Sequence, residues 1–212
     1  MRRLLSALFL LLLLGAGGTA FKAFLDYKNP GPLGQETDVV IPHGDYLSTI
    51  HTLQQAGVLS SGLWTERLCL AAVVLTRKDG QLHAAELHFP AFISMQEVLH
   101  IMRHGHPVLH KLTIPEGLTA HQIQALFQAA PFLEDDAPLP PEGSVMPETY
   151  SYLRNASRKA LLERTQAAMA KTVQALWNQR TAQAAIPDQK TFLILASLIE
   201  KETAVPTERS LV

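Results

Sequence analysis

Apolar and polar positions alternate along this chain in three distinct ways. At the start, Arg2 and Arg3 precede an uncharged, mostly apolar run from Leu4 to Phe21, densest over Leu4–Leu14 and closed by Lys22. Such a run is just long enough to cross a bilayer as a helix, with Lys22 snorkelling to the interface. Positive charge ahead of it predicts a cytoplasmic N-terminus and an exported body. A cleaved signal peptide, with Gly18 and Ala20 as the small residues before the cut, is the rival reading, and it also places the body outside the cytoplasmic membrane.

Helical spacing recurs four times further on. Leu63–Leu75 is rich in Leu, Ala and Val; Ser94 caps a short helix to Arg103 through Val98, Leu99 and Met102, ended by Gly105. Ser157 caps a long helix to about Arg180, with Leu161, Leu162, Ala168, Met169, Val173 and Leu176 as its buried stripe and Trp177 at its edge. Asp188 caps a last helix whose Phe192, Leu195, Ala196 and Ile199 share one face, widened by Leu193 and Leu198. That face predicts a mostly buried helix.

The third pattern is strand-like. Leu82–Phe92 alternates loosely and is broken by Pro90. Val40-Ile41-Pro42-His43-Gly44 and Thr113-Ile114-Pro115-Glu116-Gly117 open two copies of a short strand, a Pro-Gly turn and an amphipathic helix. At the same offset Ile50 matches Ile123, Leu53 matches Leu126, Gln55 matches Gln128 and Ala56 matches Ala129. Asp26–Glu36 reads as a stalk and Glu134–Gly143 as a linker or boundary, from their Pro and Gly.

Composition narrows the chemistry. A net charge of −1 without a basic stripe argues against nucleic acid as partner. Cys69 is the only cysteine, so no intrachain disulfide or cysteine-based metal site forms, and it packs as a small hydrophobe. His100, His104, His106 and His110 surround the breakers Gly105 and Pro107 without a carboxylate among them, and read as surface histidines. No metal or cofactor is expected. Asn155-Ala156-Ser157 matches a glycosylation sequon, too short a pattern to use.

Two stretches carry candidate chemistry. The last apolar helix runs into Glu200-Lys201-Glu202-Thr203. A carboxylate against an apolar wall loses hydration, its pKa rises, and it can act as a general acid. Glu200 and Glu202 are roughly 200° apart on a helix, so they cannot both face one cleft. Spacing does not choose between them. Glu142-Gly143…Pro147-Glu148-Thr149-Tyr150 is a loop whose aromatic and carboxylates suit a sugar site.

Taken in order, the anchor, the Ile-Pro-x-Gly repeat, the Glu142–Tyr150 loop and Ala196-Ser197-Leu198-Ile199-Glu200-Lys201-Glu202-Thr203…Glu208-Arg209 resemble the endolytic murein transglycosylase family, MltG or YceG-like. The resemblance implies an α+β protein with an N-terminal transmembrane helix at 1–25, a stalk at 26–37, a LysM-like strand-turn-helix region at 38–135 and the first part of a mixed α/β catalytic domain at 136–212. It implies cleavage of peptidoglycan glycan strands between N-acetylmuramic acid and N-acetylglucosamine, leaving 1,6-anhydromuramyl ends. It assigns catalysis to Glu202, and Glu142, Glu148, Thr149 and Tyr150 are the residues expected against substrate. The implied setting is a single-pass inner-membrane protein with its body in the periplasm, near peptidoglycan synthases.

The chain departs from the family twice. Ala84-Ala85-Glu86-Leu87 stands where an Ala-Gly-x-Tyr strand is usual, and the family's sequence continues beyond Val212 into an Asn-Arg-Leu helix, an Asp-Pro region and a Pro-Gly loop. Glu208–Val212 reads as a helix without a C-cap, so a fragment or a truncation is expected. The competing class is a tethered, non-catalytic glycan-binding or scaffold protein. A periplasmic binding protein for small ligands lacks the strand–helix alternation it would need.

Overall fold

A computed structural model describes residues 2–181 and 186–202. The chain forms two compact units, Met1–Val108 and Leu109–Val212. The α+β class holds.

The first unit begins with helix α1, Arg2–Lys28, in which Phe9–Lys28 is long and apolar enough to cross a membrane and is nowhere buried. Asp26, Tyr27 and Lys28 belong to this helix, so the expected stalk starts three residues later than its composition indicated. Strand β1, Thr37–Val40, is followed by α2, Tyr46–Gln55, α3, Leu63–Leu75, and β2, Glu86–Phe89. The strands pair antiparallel, Val39 opposite Leu87. Helix α4, Met95–His104, closes the unit. Its N-terminus is a reciprocal capping box: Glu97 N–H donates to the Ser94 hydroxyl at 3.3 Å, and Ser94 N–H to the Glu97 carboxylate at 2.9 Å. Ile50, Leu53, Val58, Leu87, Phe89, Val98, Leu99 and Met102 are the densest part of the core.

The second unit runs β3, His110–Thr113; α5, Ala120–Ala129; β4, Leu133–Glu134; β5, Thr149–Tyr152; β6, Ala156–Ser157; α6, Arg158–Gln179; and α7, Gln189–Glu202. β3 pairs antiparallel with β5, Leu112 opposite Tyr150, and β4 pairs parallel with β6. The two repeat copies put β1 and β3 at the offset read from sequence. Ile50 and Ile123 are both buried as expected of matching core positions.

A boundary at 135/136 is not where the fold divides. Leu112, Ile123 and Phe127 share one core with Tyr150, Tyr152, Leu161 and Leu162, so the chain on both sides of Glu134–Gly143 belongs to the same unit. Proline and acidic residues mark a loop there. Arg158 ties that loop down: its guanidinium is buried and donates to the carbonyls of Phe127 at 2.6 Å, Leu133 at 3.2 Å, Ala130 at 3.4 Å and Asp135. These acceptors include Phe127 in the last turn of α5 and its C-cap Ala130, where a cation is favoured.

Two burial expectations fail. Leu176 is exposed, because only the first half of α6 reaches the core through Leu161, Leu162 and Thr165. α7 has no buried residue; Ile194, Leu195 and Leu198 are 49%, 41% and 53% exposed. Its main helix partner is α6, through an edge-on Trp177–Phe192 contact at 6.3 Å between ring centroids, so one side is half covered and the other open.

Candidate active site

A cavity of about 680 Å³ in the second unit opens between the Ile114–Thr119 turn, the Glu142–Pro147 loop and α7. Each wall has a local cause. Ile114 N–H donates to the Glu148 carbonyl at 3.0 Å, which extends the β3–β5 ladder to the edge of the turn. Gly117 has φ of +76°, a left-handed conformation that glycine adopts without a Cβ penalty, and so lets the chain reverse into α5. Thr119 caps α5 in a second capping box with Gln122. Glu142 Oε2 accepts from Ala120 N–H at 3.0 Å, which places a carboxylate at the positive end of α5 and holds the loop beside it.

α7 supplies the remaining wall. Thr191 N–H donates to Asp188 Oδ1 at 2.7 Å, so the expected N-cap is present, and this bond holds the Asp188 carboxyl below its usual range. Gly143, at φ of +71°, lets Leu193 pack close: a Cβ there would lie 2.9 Å from Leu193 Cδ2. At the far end Lys201 Nζ donates to the Gly117 carbonyl at 2.9 Å, which ties the last turn of α7 to the Ile114–Thr119 turn. Glu200 and Lys201 line the cavity there with Leu193, Ile194, Ala196 and Ser197.

The candidates named from sequence therefore separate. Glu142 lines the cavity together with Gly143, Val145 and Pro147, whereas Glu148, Thr149 and Tyr150 do not. Tyr150 is a core residue: it is 8% exposed, its hydroxyl donates to the Met146 carbonyl at 3.0 Å, and no ring face is open for a sugar to stack on. Burial, more than the Glu148 charge, raises its phenol pKa. Thr149 is exposed, its Oγ1 2.9 Å from Thr113 Oγ1 across the ladder. Glu202 is exposed on α7 and does not line the cavity; Glu200 is half-buried and does. Thr203 and Glu208-Arg209 lie outside the described residues. No group of three or more His, Cys, Asp or Glu arranged for a metal occurs among the described residues.

Residues 39–212 match the model of the YceG-like family. The chain belongs to that family. A search of solved structures finds a yceG-like protein of Listeria monocytogenes, 22% identical, over 82% of this chain and 67% of that one, with a TM-score of 0.33. That likeness is too distant to carry structural detail across. No match was found among curated proteins. Within this YceG-like chain the sequence pointed to Glu142 by loop composition. It did not single out Lys190, Lys201 or the turn carbonyl of Gly117 as cavity neighbours, although Lys201 and Gly117 each sit inside a motif it had noted.

Proposed function

We propose that this YceG-like chain is the membrane-anchored, endolytic lytic transglycosylase of nascent peptidoglycan. It cuts between N-acetylmuramic acid and N-acetylglucosamine, leaves a 1,6-anhydromuramyl end, and so terminates strand elongation. The observation that carries the reading is the family match, which runs through Glu200-Lys201-Glu202-Thr203. α1 supports the anchor, with the body in the periplasm and within reach of the synthases that extrude the strand. The β-α-α-β order of the first unit supports a LysM-like module. A cavity of about 340 Å³ there, between Pro42–Gly44 and Leu82–Ala84, is a place where a glycan would lie.

Glu202 carries the chemistry in this reading. Its carboxylic acid protonates the leaving glycosidic oxygen as the bond to the muramyl anomeric carbon breaks. The substrate's own 6-hydroxyl oxygen then bonds to that carbon, and its proton passes to the Glu202 carboxylate, which restores the acid. No second carboxylate and no water are consumed, so a single glutamate can serve as acid and then as base. Glu142 and Glu200 line the adjoining cavity and would accept hydrogen bonds from sugar hydroxyls.

Muropeptide analysis of glycan strands incubated with the full chain tests this. Anhydromuramyl ends appear with the native chain and vanish with Glu202→Gln, while the melting curve is unchanged. Full activity of Glu202→Gln overturns the assignment. A second reading, a tethered glycan binder, draws on Glu202 lying off the cavity. Strands retained by the native chain without new anhydromuramyl ends would favour it.

A further inference from the structure

We propose that the outer face of α3 rests on the lipid surface of the same bilayer that α1 crosses; this depends on reading α1 as the anchor. Cys69, Ala72 and Val73 turn α3 inward. On the other side Leu63, Trp64, Val74 and Leu75 are 68%, 43%, 58% and 81% exposed, and Arg67 and Ala71 are exposed with them. At about 100° per residue these six positions fall within an arc of roughly 120°. Five of them are apolar and none is acidic. A folded module does not usually leave a continuous stripe of that kind to water.

Continuity with α1 identifies what covers the stripe. Trp64 Nε1 donates to Asp26 Oδ2 at 2.7 Å, Asp26 pairs with Lys22, and the Lys22 ammonium stands 5.3 Å from the Trp64 ring centroid. Lys22 and Asp26 lie in the C-terminal part of the apolar segment Phe9–Lys28. One edge of the α3 face is thus fastened to α1 at the level where the chain leaves the hydrocarbon. A tryptophan with an apolar body and a bonded N–H is suited to that depth, as is a lysine that snorkels. Arg67 within the face, and exposed Arg77 and Lys78 just past it, match anionic headgroups. The acidic residue of α3, Glu66, is turned away and meets His51 at 3.4 Å. α3 therefore lies along the headgroup layer as an interfacial helix, and holds the first unit at fixed height and tilt above the membrane.

The test uses the full chain in vesicles of phosphatidylcholine and phosphatidylglycerol that carry nitroxide-labelled lipids. Fluorophores are attached at Leu12→Cys in α1 and at Val74→Cys, at the end of α3 remote from Trp64. Cys69 is buried, so labelling is selective. The expected result is loss of Leu12→Cys emission to deep nitroxides and of Val74→Cys emission to shallow ones, with Val74→Cys shielded from an aqueous quencher. Quenching at Leu12→Cys with Val74→Cys open to the aqueous quencher and untouched by any nitroxide overturns the proposal and leaves the anchor standing. Absence of quenching at Leu12→Cys overturns the anchor reading, and the proposal falls with it. A Val74→Cys probe shielded from water but not quenched by lipid would mean protein covers the face, and also overturns the proposal.

Discussion

Arg158→Met removes the guanidinium that holds the Glu134–Gly143 loop, the α5 C-terminus and the α6 N-terminus together, while keeping most of the apolar stem. Four backbone carbonyls accept from it, those of Phe127, Ala130, Leu133 and Asp135. Hydrogen bonds to a charged group contribute about 1.5–3 kcal/mol each, and an orphaned buried carbonyl costs about 1–3 kcal/mol. The four share one side chain, and one of them is long at 3.4 Å, so their contributions do not add. We expect a loss of about 3–5 kcal/mol, more than one charge-assisted bond and well below the sum of four. In a unit of this size that lowers the melting temperature by roughly 15–30 °C. Trp177 fluorescence reads the second unit once Trp64, the other tryptophan, is replaced by Phe. Arg158→Lys restores a cation with one compact head, and should recover part of the loss. Lys159→Ala serves as control: its pair with Glu163 is 4.0 Å long and exposed, worth well under about 1 kcal/mol. An Arg158→Met chain melting within about 3 °C of the native one would refute the reasoning.

Three further outcomes are expected. Glu97 is held below the usual carboxylate range by the Ser94 backbone N–H and then the Ser94 side chain, so its stabilisation is present above its unfolded pKa and lost as pH falls through its folded one. Glu97→Gln should flatten the acid limb of the first unit's unfolding curve, followed by Trp64 fluorescence, and Ser94→Ala should cost about 1 kcal/mol at neutral pH. Gly143→Val places a β-branched residue at φ of +71° and a Cβ against Leu193, so α7 should show faster amide exchange while the β3–β5 ladder keeps its protection. Burial pushes the Cys69 thiol up to about 11; iodoacetamide at mildly alkaline pH should leave it unmodified in the native chain and alkylate it in denaturant.

Local chemistry was legible in the sequence and long-range burial was not. Leu63–Leu75 is a helix with those bounds, and Ser94, Ser157 and Asp188 each cap the helix their spacing indicated, because a cap needs only residues within one turn. The repeat was visible because each copy buries the same face of the same short unit. The Arg158 clamp was invisible, since its partners are backbone carbonyls, which carry no residue-type signal. Tyr150 looked like a sugar platform because an aromatic beside Pro and Glu reads the same whether its ring packs inward or outward; the strand alternation that buries Tyr150 and Tyr152 decides it. Glu134–Gly143 looked like a boundary because composition marks a loop without saying what lies on either side of it.

The last turn of α7 is where periodicity and resemblance meet. Periodicity held that Glu200 and Glu202 cannot serve one cleft, and the structure separates them: one lines the cavity and the other is exposed off it. Glu200 takes the cavity side, with Glu142 across from it at the α5 N-terminus. Glu116, Glu142 and Glu200 line this cavity together with Lys190 and Lys201 among its apolar residues, and in the proposed function these carboxylates would accept hydrogen bonds from sugar hydroxyls. Glu202 takes the open side, where in the proposed function a long polymer would reach it from solvent. Holding a strand and breaking it would then fall to different faces of one helix turn, with Lys201 between them as the fixed point. Lys201→Met would release the last turn of α7 from the Gly117 turn, so in the proposed function it should disturb binding and chemistry at once, which neither glutamate substitution alone would do.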